Sequence, residues 1–521
     1  MAEQATGTEP QPDAPVDRKR IALLNGSCGQ SDRIAVCGQI VDIPITAIQK
    51  RGDWDLFTHL PVESSVKIRP MQDMSMSGVR RPRLQLELLS ALPEGQLDLN
   101  TLDSIEPVWR SETFNANDDS FFSVGVKSDL PPGDYYVRIM FRGVDSLRQS
   151  VADLAFIGNS DSLILKKDLP IGYCRIRILP FDYTGYILTS DIDQTFLDTQ
   201  IASTQGLVET LFETPDVKRP LPGMVEFYRQ IQKQNDHIPF FFISASPHFF
   251  RRTLHAVFDH HQIGIHGLNL KYLLSTIDSI FKKLLESVSN IEEFLSRGLS
   301  HAVDRTVKFL GSSFVSLFDQ VAYKLIVLLE NRRMQPTGAR EILMGDNTEG
   351  DYFIFILYQF LLLGRLTGDE LENYLYHLNF QNREALTRDA ARRVRKLVEE
   401  NVAIHGHVNP VKEVWINLAY AEPDETRMAE IVNSSLPEGL VVEDPSIVRV
   451  RACQGGAGFA FAALDAGLID LDRFREVIKS IVGQTLRSET VTVDTLAKYA
   501  SEFPFRSVPS ENVLAVIRSA A

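Results

Sequence analysis

The sequence contains the stretch Tyr186-Ile187-Leu188-Thr189-Ser190-Asp191-Ile192-Asp193-Gln194-Thr195, in which β-favouring apolar residues lead into two carboxylates. Residues i and i+2 of an extended segment point to the same side, so Asp191 and Asp193 are predicted to face one pocket. Two close carboxylates repel each other, and folding keeps them together only where a cation or a proton is shared between them. The stretch therefore predicts a magnesium site with an aspartate nucleophile or, as the alternative, an Asp-rich turn that caps a helix.

Composition and charge limit the class of protein. The 521 residues are 44% hydrophobic and 23% charged, as in ordinary globular proteins. A net charge of −14 argues against nonspecific binding to nucleic acid, which needs a basic surface. The four cysteines form no C-x-x-C pair, and no apolar run approaches the roughly 20 residues that span a bilayer. These features predict a soluble, cytoplasmic protein, with peripheral contact to a membrane left open.

The first third of the chain predicts a tail and a β-rich domain. Residues 1–18 are acidic and Pro-rich, which predicts a disordered tail. From 19 to 180, short β-type runs are broken by Pro, Gly, Asn and Asp, and this pattern predicts a β-sandwich-like domain. No cluster of metal-ligating residues accompanies it, so its expected role is scaffolding or interaction.

From residue 183 the pattern changes to apolar strands that alternate with amphipathic helices. Strands are predicted at 186–190, 238–244 and 341–345, and such alternation indicates an α/β fold with a parallel sheet. This catalytic domain is predicted to extend over 183–425, with one more strand at 412–419.

The last hundred residues, 426–521, predict a helical region. Gly455-Gly456-Ala457-Gly458 resembles a phosphate-binding loop but lacks the G-K-[ST] ending and a clear preceding strand. Packing of a helix through small residues is the interpretation that we prefer.

Polar residues follow the other predicted strands of the catalytic domain, where open parallel sheets gather their chemistry. Ser244 closes the second strand, either as a site residue or as a helix cap. Asp346 and Asp351 follow the third, either as oxygen ligands for a hard cation or as the capped start of a helix. Lys324 lies in an apolar, helix-like run, and its ammonium group is predicted either to reach solvent or to be buried and paired.

Taken in order, these pieces resemble the motifs of the haloacid dehalogenase superfamily of phosphotransferases: D-x-D-x-T, a strand ending in Ser, a helical Lys, and G-D-x4-D. Three segments are similar to the phosphatidate phosphatase catalytic domain family of the actin-patch type. They are Ser190-Asp191-Ile192-Asp193, Ser244-Ala245-Ser246-Pro247 and residues 345–351. The resemblance implies a Rossmann-like parallel-sheet core preceded by a β-rich region. Gln194 departs from the family pattern, which commonly has two acids in tandem.

The resemblance also implies a role for each matched residue. Asp191 would attack phosphorus and form an aspartyl-phosphate, and Asp193 would act as general acid and base. Thr195 would orient this region, Ser244 would hydrogen-bond the phosphoryl oxygens, and Lys324 would offset negative charge.

A magnesium ion would complete the implied site. Its ligands would be Asp191, the backbone carbonyl of Asp193, and Asp346, with Asp351 as a further ligand or a supporting group. The implied reaction is hydrolysis of a phosphomonoester, most specifically of phosphatidate to diacylglycerol. A phosphatase of soluble phosphate esters and a non-catalytic module that binds lipid phosphates are the alternatives.

An insertion at 273–318 separates the second and third strands of the catalytic domain. Apolar residues recur there at three- and four-residue steps, which predicts an amphipathic helix or helical hairpin. It is either a cap that admits a lipid phosphate or a segment that packs on the core or on a second copy of the chain. The oligomeric state stays open.

Overall fold

The computed structural model describes residues 18–44, 77–79, 81–90, 99–126, 129–144, 169–198, 219–235, 238–271, 320–378, 380, 386–486 and 489–520. Two predicted segments lie outside these ranges. They are the tail at 1–18, apart from residue 18 itself, and the insertion at 273–318. The architecture is mixed α/β with a parallel sheet, which confirms the predicted α/β class. The more specific Rossmann-like core and the domain layout stay predictions.

Strands dominate the described residues up to 178. The elements of this part are β1 (Arg18–Leu24), β2 (Ser27–Gly29), β3 (Ala35–Pro44), β4 (Ser77–Gly78), β5 (Pro82–Ser90), α1 (Leu99–Ser104), β6 (Trp109–Arg110), β7 (Phe114–Asn115), β8 (Phe121–Gly125), β9 (Gly133–Val144) and β10 (Leu169–Ile178).

These strands form two sheets that share one core. The first sheet has the order β1-β3-β4 with β8 also on β3, and the second has the order β2-β10-β9-β5-β6 with β7 also on β5. Leu24 and Val36 of the first sheet and Val137 and Ile176 of the second belong to one buried apolar cluster. Side chains from both sheets thus fill a common interior, as in a β-sandwich.

From residue 186 strands and helices alternate. The elements are β11 (Tyr186–Asp191), α2 (Met224–Gln234), β12 (Phe240–Pro247), α3 (Arg251–His260), β13 (Gly267–Lys271), α4 (Gln320–Met334), β14 (Arg340–Asp346), α5 (Asp351–Leu362), α6 (Gly368–His377), α7 (Arg388–His405), β15 (Val411–Asn417), α8 (Glu425–Ser435), β16 (Val450–Cys453), α9 (Gly455–Asp465), α10 (Leu471–Ile481), β17 (Thr485–Leu486), β18 (Glu489–Thr490), α11 (Val493–Glu502) and α12 (Ser510–Ser519).

Six of these strands form one sheet in the order β13-β12-β11-β14-β15-β16, and every pair is parallel. Successive residues of a strand point to opposite faces of the sheet, and helices cover both of these faces. On β14, Ile342 and Met344 pack into one apolar cluster, whereas Leu343 packs into the other. The carboxyl ends of all six strands therefore meet at one edge of the sheet. None of the helices in the described part of the chain is long and apolar enough to cross a membrane.

Two strands of this sheet, β13 and β16, were not foreseen from the sequence. No strand was predicted at Gly267–Lys271. Val450–Cys453 pairs with β15, although the sequence analysis predicted only helices in this region. A strand therefore does precede the glycine-rich stretch at the start of α9, contrary to the sequence interpretation. A side chain at Gly456 would still collide with the Pro222 carbonyl, and one at Gly458 with Cys453. These glycines serve close packing, as the sequence analysis preferred. The predicted domain bounds stay predictions.

Arg251 joins the β-sheets at the start of the chain to the parallel sheet. Its guanidinium group is fully buried and donates hydrogen bonds to the Leu24 carbonyl at 2.5 Å, to Asn25 Oδ1 at 2.7 Å and to the Leu268 carbonyl at 2.6 Å. One side chain on α3 thus binds the end of β1 and the edge strand β13 together. A buried cation in this position is stabilising only because its partners are fixed around it.

We expect Arg251→Met to lower the free energy of unfolding by about 3 kcal/mol or more, because it leaves buried acceptors without a donor. Urea denaturation would measure the loss. Arg475→Met is the matched control: Arg475 makes a surface pair with Asp472 at 2.7 Å, and its loss should cost about 0.5 kcal/mol or less. Equal costs for the two substitutions would contradict the role assigned to Arg251.

Candidate active site

The predicted site residues come from elements that end at the same edge of the parallel sheet. Asp191 is the last residue of β11 and Asp346 the last of β14, two strands that pair directly. Ser244 lies on β12, the neighbour of β11 on its other side. Asp351 is the first residue of α5, and Lys324 lies in the first turns of α4.

Three of the predicted carboxylates converge. Asp191, Asp346 and Asp351 each offer an oxygen, and these atoms lie within 4.8 Å of one another in a buried position. Lys324 Nζ lies 2.5 Å from Asp351 Oδ1, 3.2 Å from Asp191 Oδ1 and 3.5 Å from Glu349 Oε2. The lysine is buried and paired, which was one of the two sequence interpretations. One ammonium group against four acids leaves an excess of negative charge.

The local chain brings Asp351 close to the sheet. A Cβ at Gly345 would occupy the position of the Asp351 carboxyl group, so only glycine fits before Asp346. Gly350, with φ 89°, turns the chain in the left-handed region directly before α5. The two glycines of the 345–351 stretch are therefore required by close approach and by backbone conformation.

The carboxylate oxygens of the site accept few hydrogen bonds from the protein. Within the described residues, neither oxygen of Asp191 and not Oδ2 of Asp346 accepts a hydrogen bond, although all three are buried. Oδ1 of Asp346 accepts from the backbone N–H of Thr348 at 2.5 Å. Buried carboxylate oxygens that lack donors are suited to a hard cation such as Mg²⁺. The residues present therefore fit the predicted ion.

Asp193 differs from the other acids. Its Oδ2 accepts hydrogen bonds from Ser244 Oγ at 2.9 Å and Ser246 Oγ at 3.1 Å. Ser244 Oγ in turn accepts from the backbone N–H of Ser246 at 3.0 Å. The Asp193 carboxyl group is not one of the three carboxylates that converge. The metal contact predicted through the backbone carbonyl of Asp193 stays a prediction. Two hydroxyls therefore fix the orientation of this carboxyl group.

Thr195 lies in the turn that follows Asp193. It is fully buried, and its Oγ1 has no hydrogen-bond partner among the described residues. Gln194 before it has φ 53°, a left-handed conformation that is uncommon for a residue other than glycine. The orienting role predicted for Thr195 stays a prediction, and the strain of the turn falls at Gln194.

Burial changes the ionisation of the site. It raises the pKa of Asp191 well above 3.8, against the opposing effect of Lys324. Burial likewise raises the pKa of Asp346 to about 8, and the negative charge of Asp351 adds to this rise. Burial alone would lower the pKa of Lys324, but the carboxylates, first Asp191 and then Asp351, raise it well above 10.5. The lysine keeps its charge while Asp191 and Asp346 resist losing their protons.

A dependence on pH follows for the metal-free protein. Asp346 titrates at about 8 when folded and near 3.8 when unfolded, so between these values the folded chain holds more protons. Stability must then fall as pH rises through this range. Mg²⁺ held by Asp346 would compete with this proton, so we expect the rise in Tm on adding Mg²⁺ to be larger at about pH 9 than at about pH 6. Thermal unfolding with Mg²⁺ and with a chelator would measure it, and a Tm shift that does not grow with pH would contradict it.

Two residues of the site were missed by the sequence analysis. Ser246 follows Ser244 at a two-residue step along β12, so the same-side rule used for Asp191 and Asp193 could have found it. Asn417 is the last residue of β15, and a polar residue at the end of a parallel strand is the signal that identified Asp346. Both lie at the sheet edge where the three carboxylates meet.

One segment of the chain matches a known family. Residues 186–311 match the family model described as "Phosphatidate phosphatase APP1, catalytic domain". This segment is similar to that catalytic domain. The match supports the phosphatidate phosphatase-like family and points to a phosphatase. It includes Asp191, Asp193, Thr195 and Ser244 but ends before Lys324, and it covers about a quarter of the chain. No curated protein matches the chain.

Proposed function

We propose that this protein is a magnesium-dependent phosphatase that hydrolyses a phosphomonoester through an aspartyl-phosphate on Asp191. One observation carries the proposal: a buried Asp191 whose oxygens accept no hydrogen bond within the described residues lies beside Lys324 and two further acids. A structural acid pair would be satisfied by protein donors. An acid whose oxygens accept no hydrogen bond and which lies beside an ammonium group is suited to attack phosphorus.

The first step transfers the phosphoryl group. An oxygen of Asp191 forms a bond to phosphorus, the bond from phosphorus to the ester oxygen breaks, and the leaving alkoxide takes a proton from Asp193. Ser244 and Ser246, which donate to Asp193 Oδ2, hold this acid in place. Such a proton transfer lowers the barrier because an alkoxide is a poor leaving group.

The second step releases phosphate. Asp193, now deprotonated, accepts a proton from water, and the water oxygen attacks phosphorus while the bond to Asp191 breaks. Lys324, within 3.2 Å of Asp191, offsets charge on the nucleophile and on the phosphoryl oxygens in both steps. Thr195 orients the turn, as the resemblance implies. Positioning and charge are nearly all that phosphoryl transfer requires of a protein.

The metal would be held by Asp191, Asp346 and Asp351, together with the backbone carbonyl of Asp193. When bound, Mg²⁺ supplies positive charge that neutralises the phosphoryl oxygens. The three carboxylate oxygens within 4.8 Å of one another support this ligand set. The sheet order, with the first strand of the unit in the middle and Asp191 at its end, supports assignment to the haloacid dehalogenase superfamily.

Phosphatidate is the substrate that the family match favours. Such a lipid resides in a membrane, so the enzyme would act from the cytoplasm through peripheral contact with the bilayer. The test is phosphate release with Mg²⁺ from phosphatidate in vesicles, compared with soluble phosphomonoesters, with Asp191→Asn as control. We expect turnover of phosphatidate to exceed that of the soluble esters. Equal or faster turnover of the soluble esters would remove the lipid assignment, and binding of phosphatidate without turnover would indicate a non-catalytic module.

A further inference from the structure

Asn417 connects three segments around the site. It is buried at the end of β15, and its Nδ2 donates a hydrogen bond to the Gln194 carbonyl at 2.6 Å. Its Oδ1 accepts from the backbone N–H of Gly455 at 2.9 Å, and its own carbonyl accepts from the N–H of Asn347 at 3.0 Å. One residue thus links the turn after β11, the loop after β14 and the start of α9.

The two partners of the side chain require an amide at this position. The Gln194 carbonyl can only accept a hydrogen bond, and the Gly455 N–H can only donate one. A primary amide offers one donor and one acceptor at the right separation, and these partners also fix its orientation. A carboxylate at residue 417 would place an oxygen against the Gln194 carbonyl, and an aliphatic side chain would satisfy neither group.

The turn bound by Asn417 is the one that needs support. Gln194 has φ 53°, and a non-glycine residue keeps this strained conformation only where its surroundings hold it. It lies directly between Asp193 and Thr195. If its peptide group relaxed, the direction of the Asp193 carboxyl would change relative to Ser244, whose Oγ lies 2.9 Å away.

We propose that Asn417 is a positioning residue for the reaction: it fixes the position of the turn after Asp193 relative to the loop after Asp346. This inference rests on the proposed function, because it assigns Asn417 an effect on the proton transfer by Asp193. Asn417 acts through Gln194 and Asn347, the neighbours of these two acids in the chain.

The test uses two variants of the full chain. Asn417→Asp keeps the size and the acceptor for Gly455 but loses the donor to Gln194, and Asn417→Leu loses both. We expect kcat for phosphate release to fall by about tenfold to a hundredfold in each, the loss typical of a small misplacement of a reacting group. KM should stay within about twofold, because neither variant changes a group that binds substrate.

Asn409→Leu provides the matched control. Asn409 lies just before the opposite end of β15, where its Nδ2 donates to Gln359 Oε1 at 2.8 Å and to the Ser446 carbonyl at 2.9 Å. Its Oδ1 accepts from the N–H of Val411 at 3.0 Å. It therefore makes a similar number of hydrogen bonds from a half-buried position at the other end of the strand. This variant should lose stability in thermal unfolding and keep the wild-type kcat.

The outcomes separate this inference from the proposed function. If wild-type protein releases phosphate but Asn417→Asp keeps a kcat within about twofold of it, the inference fails and the proposed function stands. If Asn409→Leu loses as much kcat as Asn417→Leu, the effect is one of stability and the inference also fails. Absence of phosphate release by wild-type protein from phosphatidate and from soluble phosphomonoesters would overturn both.

Discussion

Asp191→Asn should abolish phosphate release and leave the protein folded. The amide has nearly the size of the carboxylate, but it is neutral and does not form an acyl phosphate. Loss of a nucleophile typically lowers kcat by roughly 10⁴-fold or more. Acid quenching during turnover should trap phosphate covalently bound to wild-type protein and none bound to the variant. Residual activity above about a tenth of wild type would exclude Asp191 as the nucleophile.

The same substitution makes an independent prediction about stability. Burial raises the pKa of Asp191, which means that the charged carboxylate is unfavourable in the folded state. Removing the charge should therefore keep or increase the stability of the metal-free protein at about pH 8. Asp198→Asn is the matched control, because Asp198 is an exposed acid a few residues further on, and it should change neither activity nor stability. A large loss of stability in Asp191→Asn would show that the acid has a structural role.

The residue pattern alone was sufficient for Asp191 and Asp346, which stand at the ends of strands. Asp191 and Asp346 each follow an apolar run whose length and composition indicate a buried strand. Once the strands are parallel and adjacent, their carboxyl ends must meet. Local pattern and one general rule of sheet topology were sufficient to bring these acids together.

Other features depend on contacts that no local pattern encodes. The four residues of β16 carry only a weak β signal, and they form a strand because β15 offers a free edge. The choice between an exposed and a buried Lys324 could not be made from its apolar neighbours. It was decided by Asp351, 27 positions away in the sequence, whose Oδ1 lies 2.5 Å from Lys324 Nζ.

Lys324→Met should be the most destabilising change at the site. The side chain keeps its length and loses its charge, so Asp191 and Asp351 remain buried without a cation. Removing one partner of a buried ion pair typically costs about 3–5 kcal/mol. Urea denaturation of the metal-free protein at about pH 8 would measure this loss. Turnover should also fall by about a hundredfold or more, because charge on the phosphoryl group is no longer offset.

Lys396→Met serves as the control, since Lys396 is an exposed lysine on α7 whose Nζ lies 3.8 Å from Glu400 Oε1. Its loss should cost about 0.5 kcal/mol or less. The penalty for Lys324→Met should shrink at about pH 5, because burial favours the protonated form of Asp191 and part of the uncompensated charge then disappears. A penalty of the same size at both pH values would mean that lost packing, not charge, explains the effect.

A second substitution tests whether charge balance is the cause. Adding Asp351→Asn to Lys324→Met removes the acid closest to the missing ammonium group, at 2.5 Å in the wild type. The double variant should recover part of the stability lost in the single variant, because replacing both partners of a buried pair costs far less than leaving one charge alone. Activity should not return, since the double variant still lacks the cation beside Asp191. Recovery of stability without recovery of turnover would separate the structural effect of Lys324 from its effect on phosphoryl transfer.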